Sequence, residues 1–425
     1  MTPTLLLYRV ALALARWMAP LASLTAARAS SLEAFAAWAR ARRDPARPLL
    51  LVHAASAGEL RQAEPIIRRL RQRHPQWQIA VTIFSPSGSA LARALPVDVS
   101  GLLPWDATGP ITTLLDALTP SAIVVCKLDL WPVLALSAHA RGIRLGLIAA
   151  TVRARSGRLR WPARRVLSPA YAALDGISAV SDEDADRLAQ LGVDRRRMRI
   201  DGDPRFDAVI ERLASEAPPR RDSDLLVAGS TWPADEQVLL SAFVAVRGAY
   251  PTARLAIAPH QPSPATLRRL AREVGRLGLP APRRCSDSSG AEPLLVLDEV
   301  GPLAHLYGRG GMAFVGGGFG RAGLHSVLEP AAWGLPVIVG PRGNDNADAR
   351  RLEERGALVR LPARDPGRAL ARRWLGWLEN ADAREAAGAA ARSTVLQGAG
   401  AAERATALVE SLMGMQQGPA PGWPL

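Results

Sequence analysis

The chain has 425 residues, 48% of them hydrophobic and 22% charged, so it is too long for one ordinary core and too apolar for a disordered segment. Its 53 Lys and Arg against 39 Asp and Glu leave a net charge of +14, carried almost wholly by arginine, which fits nucleic acid, an anionic membrane surface, acidic or phosphorylated substrates, or simply the codon bias of a GC-rich genome. The absence of zinc-ligand spacing and of interleaved aromatic and basic residues argues against nucleic acid, and two cysteines, Cys126 and Cys285, exclude a disulfide framework.

Residues 2–21 form an apolar run broken by Arg9 and Arg16 and stopped at Pro20. A spanning helix and a secretory leader are both unexpected there. Tyr8, Trp17 and the two arginines suit a helix lying in a membrane interface, or one packed on the first domain. An alanine- and arginine-rich helix follows over 22–47. From Pro48, strand-like runs alternate with helices: LLLVHAA (49–55), IAVTIFS (79–85), SAIVVCK (121–127), IRLGLIAA (143–150) and GISAVS (176–181). Strands of Val, Ile and Leu without polar alternation are buried on both faces, as in a parallel sheet covered by helices. Ser181 and the acids after it cap a helix running to about Leu191.

Residues 208–223 read as a helix and then a linker. A second series then begins: LLVAGS (225–230), ARLAIAP (253–259), PLLVLD (293–298) and a strand over Met312–Val315. Gly316, Gly317, Gly318 and Gly320 follow, then a helix from near Leu324 to Gly334 holding both His325 and Glu329, then a strand over Pro336–Val339. Strand, glycine loop, helix and strand make a βαβ unit. Glycines between strand and helix let backbone amides approach a phosphate, and Glu329 is placed to accept two hydrogen bonds from a ribose. Helices over 345–355, 366–379 and 381–413 close the chain, the last broken near Gly398–Gly400.

These elements predict an α/β protein of two Rossmann-like, doubly wound domains facing each other across a cleft. The boundaries are an interfacial or anchoring helix at 1–21, a first domain at 22–207, a linker at 208–223, a second domain at 224–413 that includes the terminal helix, and a frayed tail at 414–425. Open parallel sheets bind ligands where their strands end. The candidates there are Ser56, Gly58 and Glu59; Ser85; Lys127 and Asp129; Gly229, Ser230 and Thr231; Pro259 and His260; and the 316–330 loop. No acidic pair suggests a metal, and no cofactor is expected.

At this point a family resemblance emerges. HAASAGE (53–59), SPSG (85–88), LDLWP (128–132), GDPRFD (202–207), AGSTWPADE (228–236) and VGGGFGRAGLHSVLEPAAWGLPVIVGP (315–341) are similar, in order, to blocks of the 3-deoxy-D-manno-octulosonic acid (Kdo) transferases over roughly residues 48–410. The resemblance implies GT-B architecture and transfer of Kdo from CMP-Kdo to a lipid A precursor at the cytoplasmic face of the bacterial inner membrane. It also implies roles. The amides near Gly317, Gly318 and Gly323 would hold the CMP phosphate beside His325, and Glu329 the ribose. Gly229, Ser230 and Thr231 would face the nucleotide, and Pro259 and His260 would line the base pocket. Ser56, Gly58, Glu59, Lys127 and Asp129 would meet the acceptor, with Glu33 as general base. The sequence departs from the family pattern at Lys127, where a glutamate is usual, at Ala149-Ala150-Thr151 in place of Asn-Ala-Arg, and at Gln261 in place of the histidine of Pro-Arg-His.

Overall fold

The structure is a computed structural model that describes residues 22–214, 220–287, 292–299, 301–344 and 346–414. The interfacial helix expected over 1–21, the centre of the expected linker and the tail beyond Gly414 lie outside the described residues. The chain divides into two compact units, one built from residues up to Ala208 together with those from Gly398 onward, the other from Val209–Gln397.

In the first unit, seven strands form one sheet: β1 (Leu49–Ala54), β2 (Gln78–Ile83), β3 (Val99–Leu102), β4 (Ala122–Cys126), β5 (Arg144–Ala150), β6 (Gly176–Ala179) and β7 (Met198–Ile200). Their order is β3-β2-β1-β4-β5-β6-β7 and every pairing is parallel. All residues of β1, β2 and β4 are buried, as the unbroken apolar runs require of strands covered on both faces. The chain switches winding direction between β1 and β4, so their ends flank the crevice where such sheets bind ligands.

The second unit repeats the plan with β8 (Asp222–Thr231), β9 (Arg254–Pro259), β10 (Arg283–Arg284), β11 (Leu294–Val296), β12 (Gly310–Val315), β13 (Val337–Val339) and β14 (Leu358–Arg360). The order is β10-β11-β9-β8-β12-β13-β14, again all parallel, and the switch lies between β8 and β12. The central strands match the sequence reading within a few residues. Strands β3, β7, β10 and β14 escape it because they are two to four residues long and mostly exposed or half-buried.

Two boundaries move. The helix expected at the start of the 208–223 segment begins earlier, spanning Pro204–Ala214. The terminal helix, expected in the second domain, splits: Ala381–Gln397 stays with the second unit, whereas Ala401–Leu412 packs on the first. Gly146 and Gly176 leave room for it. A Cβ at Gly146 would lie 2.4 Å from a Leu412 methyl, and one at Gly176 would lie 2.7 Å from a Leu408 methyl. Asp207 anchors its start by accepting from the amides of Gly400 (2.8 Å) and Ala402 (3.1 Å).

Candidate functional site

In the second unit the expected donor-side residues converge at the switch point. Strand β8 ends in Gly229-Ser230-Thr231, with Ser230 at φ 53° and a register shift against β9 at that position. A non-glycine residue with positive φ at a strand end is local strain of the kind that gathers at functional sites. The Gly316 amide donates to the Gly229 carbonyl (2.9 Å), the His325 amide to the Gly316 carbonyl (3.2 Å), and the His260 amide to the Thr231 carbonyl (2.9 Å). Pro259 ends β9 beside them. Backbone bonds thus tie the 229–231, 259–260 and 316–325 segments into one floor.

On that floor three rings stack. Trp232 lies 4.8 Å from His260, and His260 lies 4.5 Å from His325. Trp232 Nε1–H donates to His325 Nε2 (3.1 Å), which makes that nitrogen an acceptor and the imidazole neutral. Burial, and then the neighbouring His260, hold the His325 pKa below its ordinary value. Trp232 is absent from the residues singled out in the sequence, although it lies within the AGSTWPADE block.

The glycine loop corrects one expectation. Gly316, Gly317 and Gly318 are buried. Gly317 has φ 92°, and a Cβ there would sit 2.0 Å from the Gly323 carbonyl oxygen; one at Gly318 would sit 2.7 Å from the backbone of Gly340. Glycine is needed at both places so that one backbone can close on another. The Gly317 amide is already donated, at 2.9 Å, to Oδ2 of Asp235, which also accepts from the Trp232 amide (2.8 Å) and is held by the Phe319 amide. The Gly317 amide therefore serves the loop's own closure in this structure. The exposed stretch Arg321–Gly323 carries the accessible amides, and Arg342, which donates from Nη1 to the Gly320 carbonyl (3.2 Å), brings a cation to the same edge. Asp235, wholly buried with its pKa raised by burial, lies in the same AGSTWPADE block and is likewise absent from the residues singled out in the sequence.

The helix after the loop is also shorter than expected, Leu328–Ala332, and leaves His325 in the preceding coil. Glu329 stands on it, half-buried, and accepts from Arg212 of the Pro204–Ala214 helix at 2.6 Å. Tyr307, wholly buried, feels the Glu329 charge, and its hydroxyl occupies the space a Cβ on Gly229 would need.

In the first unit, Ser56 caps the helix Ala57–Arg73, accepting from the Glu59 amide (3.4 Å), while Glu59 Oε2 accepts from the Ala55 amide (2.7 Å); Gly58 is exposed in the first turn. Burial raises the Glu59 pKa, and the charges it feels are those of Asp129, Lys127 and Arg158. Lys127 follows β4 at φ 71°, and Asp129 is paired with Arg158. Ser56, Glu59, Lys127 and Asp129 are therefore one cluster at the β1–β4 switch. Glu33 is not among the charges Glu59 feels. It lies mid-helix in Ala22–Arg42, exposed, while Arg28 and Phe35 of the same helix turn inward.

Behind the cluster sits a polar group centred on the fully buried His53 and Thr82. His53 Nδ1 meets Thr82 Oγ1 at 3.1 Å, and its Nε2 accepts from Trp131 Nε1 at 3.2 Å. Trp131 stacks on Phe84, and Arg28 lies over Phe84 at 4.1 Å.

Two doubly wound parallel-sheet units, each with its polar residues gathered at the switch point, have the architecture of the GT-B class. The comparisons agree. A crystal structure of UDP-GlcNAc 2-epimerase from Neisseria meningitidis bound to UDP-GlcNAc shares the fold, with a TM-score of 0.60 at 14% identity over 85% of this chain and 100% of that one. Residues 30–208 match the family model described as 3-deoxy-D-manno-octulosonic-acid transferase (kdotransferase). Similar proteins include the Kdo transferases of Haemophilus influenzae, 28% identical over 301 residues (68% of this chain, 70% of that one), and of Bordetella pertussis, 29% identical over 329 residues (73% and 76%). The chain is a homologue of the Kdo transferases, and so a glycosyltransferase.

Proposed function

We propose that the protein transfers Kdo from CMP-Kdo to a lipid A precursor, working at the cytoplasmic face of the bacterial inner membrane. The observation that supports this most is the convergence of Gly229–Trp232, His260, His325 and Glu329 on one switch point of the second unit. In this reading Glu329 exchanges Arg212 for the ribose hydroxyls, keeping a charge-assisted bond throughout. The Trp232–His260 stack offers a flat apolar face to the pyrimidine. The phosphate lies against the Arg321–Gly323 amides and Arg342, fixed dipoles and charge that stabilise the departing CMP. On the acceptor side Lys127 meets an anionic group. Glu59, whose carboxyl burial makes more basic, takes the acceptor proton in preference to the exposed Glu33.

A second reading keeps the donor and changes the acceptor. It is favoured by Lys127, which stands where the related enzymes have a glutamate and reverses the charge offered to the acceptor. Incubation with CMP-Kdo and lipid A precursor, with products read by mass spectrometry, tests both. A product one Kdo heavier supports the first reading. CMP binding without that product supports the second, and failure to bind CMP while binding UDP overturns both. The larger fall in kcat between E33Q and E59Q marks the base.

A further inference from the structure

We infer that the surface between Arg153 and Arg165 of the first unit is a docking surface for an anionic phospholipid bilayer; the inference deepens the proposed function by naming how the acceptor cluster meets a lipid substrate. The segment RARSGRLRWPARR holds six arginines, and no acid occurs between Val152 and Leu174. Arg153, Arg155, Arg160, Arg164 and Arg165 are exposed, and no carboxylate among the described residues pairs with them. Trp161 stands among them 80% exposed, the most exposed of the large apolar side chains described.

Several exposed arginines elsewhere on this chain pair with acids: Arg195 with Asp182 and Asp186, Arg73 with Glu403, Arg68 with Glu64. Here charge is left uncompensated around an indole held in water. That combination is unfavourable for a free surface and favourable at a headgroup layer, where the indole takes the boundary between apolar and wet and each arginine meets phosphate. Duplex nucleic acid would use the arginines but leave a lone indole without a role.

The inner side of the same segment is tied to the acceptor cluster. Arg158 pairs with Asp129, the Tyr171 hydroxyl donates to the Leu128 carbonyl (2.7 Å), and Arg187 Nη1 donates to the Val152 carbonyl (3.0 Å). A bilayer seated on Trp161 would therefore present lipid headgroups beside Lys127 and Glu59.

The test is sedimentation of the full chain with phosphatidylcholine vesicles, with and without phosphatidylglycerol, at fixed salt. The wild type binds the anionic vesicles. R160E/R164E/R165E lowers that partitioning by roughly a hundredfold, from about 1 kcal/mol per arginine at an anionic surface. W161A lowers it by about tenfold. The control R268E/R272E/R276E makes the same charge change on three exposed arginines of the helix Pro264–Arg276 and retains binding. Equal loss in both triple variants shows an effect of net charge alone and overturns the inference, as does unchanged binding by W161A together with R160E/R164E/R165E. Tighter binding to an oligonucleotide duplex than to the vesicles, lost in the same variants, overturns it in favour of nucleic acid. Circular dichroism confirms folding, and R153E/R155E serves as a second pair. Turnover on detergent-dispersed acceptor is read in parallel. A wild type that turns over yet fails to bind the anionic vesicles overturns only this surface, whereas a wild type that binds them through Trp161 yet turns over nothing overturns only the transferase reading.

Discussion

Glu329 and His53 are the single residues whose chemistry the surroundings decide. The Glu329 carboxylate is half-buried and already bonded to Arg212, so it is pre-aimed for a partner that replaces a guanidinium with hydroxyls. Glu329→Gln keeps the shape and removes the charge. Nucleotide affinity measured by calorimetry is expected to fall about tenfold to a hundredfold, the range of a hydrogen bond to a charged group. His53 is fully buried, and desolvation, opposed by its Thr82 contact and aided by the Arg28 charge, holds its pKa at about 3 against 6.5. Below pH 6.5 the unfolded chain takes up a proton that the native state refuses. Its contribution is therefore intact above pH 6.5 and lost as pH falls towards 3, at about 1.4 kcal/mol per pH unit. His53→Gln should flatten that slope in urea titrations between pH 6.5 and 4, and an unchanged slope would assign the acid sensitivity to other groups.

The glycine loop is the element on which the donor side depends. Its glycines pack backbone against backbone, and Asp235 holds it from beneath through the Gly317 amide. Gly317→Ala faces both a positive φ and a carbonyl in the way, so the loop must open. The expected outcome is loss of nucleotide binding with the circular dichroism spectrum retained and a stability decrease of about 2 kcal/mol by denaturant titration. Asp235→Asn is milder: it preserves one acceptor and removes a buried charge that has one oxygen, Oδ1, without a hydrogen-bond partner. The loop's glycines were legible as a cluster, but their purpose was not. Close approach of two backbones and approach of a backbone to phosphate leave the same mark in a sequence, and only the position of Asp235 separates them.

At the scale of the molecule, the chain enters the second unit at Val209 and returns to the first at Gly398. Ala401, Ala402, Ala405, Leu408, Val409 and Leu412 are all buried there, so the first unit owns a helix encoded at the other end of the gene product. A fragment ending at Ala208 is expected to be unfolded or aggregated, whereas Val209–Gln397 folds alone. Adding a peptide spanning residues 398–414 to the first fragment should restore its circular dichroism signal. A first fragment that folds cooperatively by itself would show that this helix is an accessory.

Periodicity, strand composition and the order of short motifs determined the two parallel sheets, the candidate residues at their switch points and the family resemblance, because each rests on residues near one another in the chain. Tertiary structure decided which unit the Ala401–Leu412 helix joins, that the Gly317 amide belongs to Asp235, that Trp232 bridges His260 and His325, that Glu329 meets Arg212, and that Glu33 faces solvent. Most of these are contacts between groups far apart in sequence, and the last is a matter of which helical face the core takes. Local pattern carries information about period and propensity, but not about which distant surface a group will meet.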